Sequence, residues 1–311
     1  MTAAVHISGL QKSYNGTEAL KGVDLSIGEG AFYALLGPNG AGKTTTINIL
    51  TGLVIKNGGT TEVFGKDTVR DYRFTRAQIG TAAQELPSDW FFPIEKLLYF
   101  QAGYFGISSQ NAKPRVDELI ERLGLTEKKD SRLRQLSGGM KRRFQLAKAL
   151  IHDPKILILD EPTAGVDVEL RHELWDYFRE LHKAGKTILL TTHYIEEAEM
   201  LCENVSIIHE GKIIKEGSPK ELTQSLGKAG ITIRFTGWND KLEPKLSNYS
   251  YTHEDGRLHF TVQDSEKSLP EIIAILAGES CHIQSVKTEQ SSLEDVFLSL
   301  TGKGIHDEES Q

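Results

Sequence analysis

Residues 37 to 44, Gly37-Pro38-Asn39-Gly40-Ala41-Gly42-Lys43-Thr44, satisfy the pattern G-x-x-x-x-G-K-[ST] at every fixed position. A polyphosphate is strongly anionic, and backbone N–H groups and a helix N-terminus bind it only where no side chain blocks the approach. The glycines leave that approach open. Lys43 then reaches the β- and γ-phosphates as a point charge, and the Thr44 hydroxyl takes one position on a Mg²⁺ ion. A glycine-containing turn ahead of a helix is the plainer alternative, but the apolar run Ala31 to Leu36 before it and the helical spacing of Ile47, Leu50 and Val54 after it favour a nucleotide site.

Two more groups could act on a bound nucleotide. Ile156-Leu157-Ile158-Leu159 suits a fully buried parallel strand and ends in Asp160-Glu161. Neighbouring side chains of a strand point to opposite faces, so Asp160 can support magnesium while Glu161 accepts a proton from the water attacking the γ-phosphate. A second buried strand, Thr187 to Thr191, delivers His193 to the same carboxyl edge, where ligands gather in open parallel sheets. Ser137-Gly138-Gly139 opens a helix, either as another anion-binding N-terminus or as an ordinary serine cap. Gln84, at the end of the short extended stretch from Ile79, reaches a magnesium ion or a water, or is a surface glutamine. Tyr14, in a loop between two short strands, either stacks on an adenine ring or packs half-buried.

The elements that must position these groups alternate strands and helices. Short strands occupy residues 4 to 36, a turn at Asn57-Gly58-Gly59 precedes a strand at Thr61 to Phe64, and a helix runs from Val168 to Lys183. A helical insert spans about 87–150; it contains a helix from Pro114 stopped by Gly124, and the aromatics Trp90, Phe91, Phe92, Tyr99 and Phe100, which form either core or a partner surface. With 311 residues, 39% hydrophobic and 25% charged, the composition is that of about two ordinary globular domains. The formal charge of −7 gives no general reason to expect nucleic acid as a partner. No apolar run approaches the ~20 residues that span a bilayer, and Cys202 and Cys281, far apart and without metal-ligand spacing, read as reduced thiols.

Taken in order, the phosphate loop, Gln84, Leu136-Ser137-Gly138-Gly139-Met140, Ile156 to Glu161, Gly165-Val166-Asp167 and His193 resemble the ATP-binding-cassette ATPases over about the first 220 residues. The resemblance implies an α/β fold: a P-loop NTPase of the ABC-cassette type with a helical subdomain and an N-terminal antiparallel β subdomain, plus a small α+β C-terminal domain. It implies that Tyr14 stacks on adenine, that Gly37 to Lys43 with Thr44 and Thr45 hold ATP and Mg²⁺, and that Asp167 belongs to the nucleotide site. Gln84 would sense the metal and the membrane partner, Asp160 would support Mg²⁺, Glu161 would be the general base and His193 would contact the γ-phosphate. Ser137, Gly138 and Gly139 would bind ATP held by an opposite subunit, in a homodimer or heterodimer, which gives two phosphate cradles in one chain a purpose. The implied role is the ATPase of an exporter, working through integral membrane permease subunits and lying in the cytoplasm on the inner face of the membrane through them. Met140 departs from the pattern, since most of the family has glutamine there and a thioether cannot replace an amide's hydrogen bonds.

Domains are expected at 1–225 for the cassette and 226–303 for the accessory unit, followed by an acidic tail at 304–311. In the accessory unit Ile231 to Phe235 alternates as a strand, Tyr249 to Gln263 reads as a hairpin about Glu254-Asp255-Gly256, and Leu269 to Leu276 reads as a helix. A strand at Cys281 to Val286 follows. Ser291-Ser292-Leu293-Glu294 reads as a capping box ahead of a helix with Leu293, Val296, Phe297 and Leu300 on its apolar face. This tail resembles the accessory domain of drug-exporter-like ABC ATPases.

Overall fold

The computed structural model describes residues 3–83, 91–226, 229–239, 241–254, 256–279, 281–289 and 291–302. Two compact units part between Glu216 and Gly217.

The first unit opens with the hairpin β1 (Ala3–Tyr14) and β2 (Thr17–Gly28), joined through Asn15 and Gly16 at φ of 49° and 88°. Successive positive φ values define a two-residue primed turn, which Asn-Gly suits. Tyr14 therefore ends a strand opposite Thr17 instead of lying in a loop. The polar stretch Gln11-Lys12-Ser13 carries no apolar alternation, so pairing with β2, and not sequence pattern, extends the strand that far.

β3 (Phe32–Leu36) leads into α1 (Lys43–Leu50), and β4 (Gly58–Val63) returns to pair with β1. Gly58 and Gly59 lie in that strand and not in a turn. A Cβ on Gly59 would meet the Gly9 carbonyl at 2.4 Å, so glycine permits the close approach of the two strands. β5 (Lys66–Asp67) completes an antiparallel sheet of order β2-β1-β4-β5. After α2 (Tyr72–Gln78) and β6 (Ile79–Ala82) come the helices α3 (Ile94–Tyr104), α4 (Ser109–Arg122) and α5 (Gly138–Leu150). α4 starts before Pro114, because the Ser108 hydroxyl accepts from the Asn111 N–H at 3.4 Å and caps it there. Gly124 lies beyond its end in the left-handed region. Leu98, Val116, Leu119 and Phe144 fill the core of these helices, while Phe91 and Tyr104 are 76% and 84% exposed and Phe92 packs edge-on against the partly exposed Phe100.

The remaining elements of this unit are β7 (Ile156–Asp160), α6 (Val168–Lys183), β8 (Thr187–Thr192), α7 (Ile195–Leu201), β9 (Asn204–His209) and β10 (Lys212–Gly217). The six-stranded sheet runs β10-β9-β3-β8-β7-β6. Every residue of β3, β7 and β8 is buried, as parallel strands covered on both faces require.

The second unit begins with α8 (Pro219–Gln224), which the sequence places with the cassette. A Ser218–Glu221 capping box starts this helix, Leu222 is buried, and the helix packs on the last helix of the same unit. β11 (Ala229–Thr236), α9 (Leu242–Leu246), β12 (Ser250–Glu254), β13 (Arg257–Val262), α10 (Ser265–Gly278) and β14 (His282–Glu289) interleave two βαβ halves in the order β12-β13-β11-β14. The short α9 carries too few residues for a periodic signal. Asp255 of the expected turn and the tail from 304 lie outside the described residues. α11 (Leu293–Thr301) is capped by Ser292 and Asp295, one residue later than the sequence reading: the Ser292 hydroxyl accepts from the Asp295 N–H at 3.2 Å and the Asp295 carboxylate accepts from the Ser292 N–H at 2.8 Å.

Among the described residues no helix is long and apolar enough to cross a membrane, and Cys202 and Cys281 are free and buried. Phe260 sits fully buried among Ile231, Ile233, Leu258 and Leu276 in the core of the second unit. Phe260→Ala should lower the unfolding free energy of that unit by about 3–5 kcal/mol in a urea titration; a loss under about 1 kcal/mol would contradict this core assignment.

Candidate active site

Parallel register brings the chemistry together. Leu36 pairs with Thr192 and Asp160 with Thr191, so the Gly37 loop, Asp160-Glu161 and His193 all leave the sheet at one carboxyl edge.

The loop is shaped by close packing. A Cβ on Gly37 would lie 2.3 Å from the Ile208 carbonyl oxygen, and one on Gly42, at φ 112°, would lie 2.7 Å from Leu20 Cδ2. Gly42 is the N-cap of α1 and Pro38 and Ala41 are buried, whereas Asn39, Gly40 and Thr44 face solvent and Thr45 is half-buried. The same contact with Leu20 sets the β1–β2 hairpin beside the loop, and Tyr14 stands at that hairpin's tip, 43% exposed, with Lys12 Nζ 4.7 Å from its ring centroid.

Lys43 is 4% exposed and surrounded by oxygen. Its ammonium donates to the carbonyls of Gly37 at 2.6 Å and Pro38 at 3.0 Å, and lies 3.4 Å from Glu161 Oε1. His193 Nδ1 approaches the same Oε1 at 3.2 Å. The Thr44 hydroxyl donates to Asp160 Oδ2 at 3.4 Å, while the Thr191 hydroxyl donates to Oδ1. The carboxylate and hydroxyl oxygens of Asp160 and Thr44 fit Mg²⁺, which takes one or two protein oxygens and fills its octahedron with water and phosphate oxygens.

The two adjacent acids titrate in opposite directions. Burial pushes Asp160 above the usual carboxylate range, opposed by the Thr191 hydroxyl and assisted by the charge of Glu161. Hydrogen bonding to His193 pulls Glu161 down against its burial, with the Lys43 charge acting the same way. Glu161 also holds φ at 49°, a left-handed backbone uncommon for glutamate and of the kind that collects at functional sites.

Ser137 and Asp167 have local tasks. Each caps a helix, the Ser137 hydroxyl accepting from the Met140 N–H at 3.2 Å and the Asp167 carboxylate from the Leu170 N–H at 2.9 Å. Ser137 and Gly138 face solvent, and Gly139 is packed so close to Leu170 that a Cβ would lie 2.5 Å from Leu170 Cδ2. Gln84 lies outside the described residues. Sequence reasoning missed Thr191, whose only signal is its place in register with Asp160, and Arg142, whose guanidinium reaches the Glu161 carbonyl oxygen at 3.1 Å. A basic residue in a solvated helix gives no sign of such a contact.

Comparison with known proteins places these features. Residues 20–164 match the family described as ABC transporter, and residues 217–301 match the C-terminal domain of DrrA1-3-like ATP-binding proteins. The chain is 36% identical over 317 residues to the daunorubicin/doxorubicin resistance ATP-binding protein DrrA of Streptomyces peucetius, covering 100% of this chain and 96% of that protein. It is 37% identical over 309 residues to a Nod factor export ATP-binding protein I of Paraburkholderia xenovorans strain LB400, covering 98% and 99%. Among solved structures, the ATP-binding cassette MJ0796, a dimer in a post-hydrolysis state with ADP and phosphate, superposes with a TM-score of 0.64 at 26% identity, covering 69% of this chain and 98% of that one.

The buried Asp160 sets up a stability test. Its folded pKa is raised, so its ionisation opposes folding above that pKa and the penalty vanishes below the unfolded value. Without nucleotide, Asp160→Asn should therefore melt above the parent at neutral pH. The difference should shrink as pH falls through the acid range; one that grows on acidification would contradict the burial argument.

Proposed function

The chain belongs to the ABC transporter family as an ATP-hydrolysing subunit of the exporter-like branch, and from that premise we propose that two such subunits close head to tail around two ATP molecules, docked on separate membrane-spanning partners at the inner face of the membrane. The observation that carries this reading is the meeting of Lys43, Asp160, Glu161 and His193 at one sheet edge, while the exposed Ser137-Gly138 helix start keeps its hydrogen bonds within its own turn. A site with its loop in one subunit and its second cradle in another accounts for both. The relatives named for Nod factor export support outward movement of the substrate, and the exposed Phe91, Phe92, Phe100 and Tyr104 support a partner surface on the helical insert.

In this reading Lys43 exchanges its Glu161 contact for the β- and γ-phosphates, and the N–H groups of the Gly37 loop and α1 bind the remaining charge. Thr44 and Asp160 would hold Mg²⁺, which neutralises charge developing on the phosphate oxygens. Glu161, released by Lys43, accepts the proton of the water that attacks the γ-phosphorus as the bond to the β–γ bridging oxygen breaks. His193, beside the same carboxylate oxygen, contacts the γ-phosphate and orients that water. The exposed ring of Tyr14 at its hairpin tip supports stacking on the adenine. Thr45 and Asp167 complete the nucleotide's surroundings, and Gln84 links the metal to the membrane partner by the family pattern.

Glu161→Gln should bind ATP as the parent does while hydrolysis falls by about 10²–10⁴-fold, the usual weight of general-base catalysis. Equal turnover of variant and parent in a phosphate-release assay would remove Glu161 from this role. Composite sites are tested by mixing Lys43→Ala subunits with Ser137→Arg subunits. A verified mixed dimer retains one intact interface and should bind ATP there, whereas either variant alone has none.

A further inference from the structure

Glu161 reaches its carboxylate position through an unusual backbone. Its φ of 49° places its carbonyl where the Ala164 N–H donates to it at 3.2 Å, while its own N–H donates to the Thr191 carbonyl at 3.0 Å. A third bond comes from the helical insert, where Arg142 Nη2 donates to the Glu161 carbonyl oxygen at 3.1 Å.

The same guanidinium holds a second segment. Arg142 Nη1 lies 3.3 Å from the Ala83 carbonyl oxygen, just past the end of β6, and 3.2 Å from Gln145 Oε1. Gln145, itself buried, donates from Nε2 to the same Ala83 oxygen at 2.9 Å and so fixes the orientation of the fork. Arginine's long, planar fork presents diverging N–H groups suited to bonding carbonyls on two different segments at once. The acids Asp160, Glu161 and Glu197 offset the burial of this cation.

We propose that Arg142 is a positioning residue for hydrolysis: it fixes the Glu161 peptide in its left-handed conformation, and so aims the carboxylate, while tying that peptide to the helix that Ser137 caps. Arg142 stands four residues after Gly138 in α5, about 6 Å along a rigid helix axis. Engagement of Ser137-Gly138-Gly139 by a nucleotide on the opposite subunit therefore moves the cation that holds Glu161. This rests on the proposed role of Glu161 and adds a route by which the second cradle controls the base.

The test is a double-mutant cycle on the full-length chain, with kcat and KM for ATP, ATP affinity and melting temperature measured for each variant. Arg142→Met should lower kcat about tenfold or more with KM and affinity within about twofold, because it misplaces a group used only in the transition state. Arg142→Lys, which can still donate to a carbonyl, should recover part of the loss, and it carries the cycle if the methionine variant does not fold. In Glu161→Gln background, Arg142→Met should change the residual rate by less than about twofold, since Arg142 acts through the group already removed. Losses that multiply in the double variant overturn the proposal. So does a kcat for Arg142→Met within about twofold of the parent while Glu161→Gln is inactive, an outcome that leaves the Glu161 assignment standing. If Glu161→Gln turns over like the parent, that assignment falls and the Arg142 role falls with it.

Discussion

Register in the parallel sheet is the constraint on which the site depends. Leu36, Asp160 and Thr192 end three neighbouring strands within one residue of one another, since Leu36 pairs with Thr192 and Asp160 with Thr191. Those strands are buried on both faces, and a shift of one residue would turn each side chain to the opposite layer. Hydrophobic burial thus fixes the strand ends, and the strand ends fix the distances from Glu161 to Lys43 and His193. The geometry of the proposed site is a by-product of packing that would be required in any case.

That edge gathers two carboxylates, a lysine and a histidine in a largely dry space, and the left-handed backbone of Glu161, the residue just past β7, keeps the acids apart in function. Asp160 faces hydroxyl donors from Thr44 and Thr191 and is held towards its protonated form by burial; Glu161 faces Lys43 and the His193 ring and is held towards its ionised form. Adjacent carboxylates would otherwise repel each other. Their separation into a hydroxyl environment and a cationic one is what suits the first to a metal and the second to a proton. The Lys43 ammonium is paired with the Glu161 carboxylate, so a phosphate competes with that carboxylate for it.

Much of this was legible in the sequence where pattern and packing coincide. The apolar runs before Gly37 and Asp160, and Ile188-Leu189-Leu190 in the strand that leads to His193, identify buried strands because parallel strands covered on both faces favour apolar residues. Glycines at 37 and 42 could be read as backbone-access positions, and their neighbours, the Ile208 carbonyl and Leu20, supply the steric reason. Tyr14 was misplaced because β1 continues through polar residues held only by ladder hydrogen bonds, and Gly58-Gly59 resembled a turn because a strand glycine admitting a neighbouring backbone has the same composition. α8 falls on the wrong side of the boundary expected at 225, since its Ser218–Glu221 cap describes where a helix begins and not what it packs against. Arg142 and Thr191 were invisible for a related reason: their roles rest on contacts between segments far apart in the chain.

The departure at Met140 can be judged from the same structure. The hydrogen bond that organises the start of α5 uses the backbone N–H of Met140 and the hydroxyl of Ser137. Neither group depends on the side chain at 140. Replacing an amide by a thioether therefore leaves the cap, the helix start and the glycine N–H groups intact, and removes only whatever hydrogen bonds the side chain itself could form. Polar reach lies further along the helix, in Arg142 two residues on and Gln145 five residues on, whose bonds run inward to Glu161 and Ala83. The hydrogen bonds of these two side chains thus run towards the chain's own sheet edge. In the composite site proposed above, the second cradle would reach the opposite nucleotide through backbone N–H groups and the serine hydroxyl.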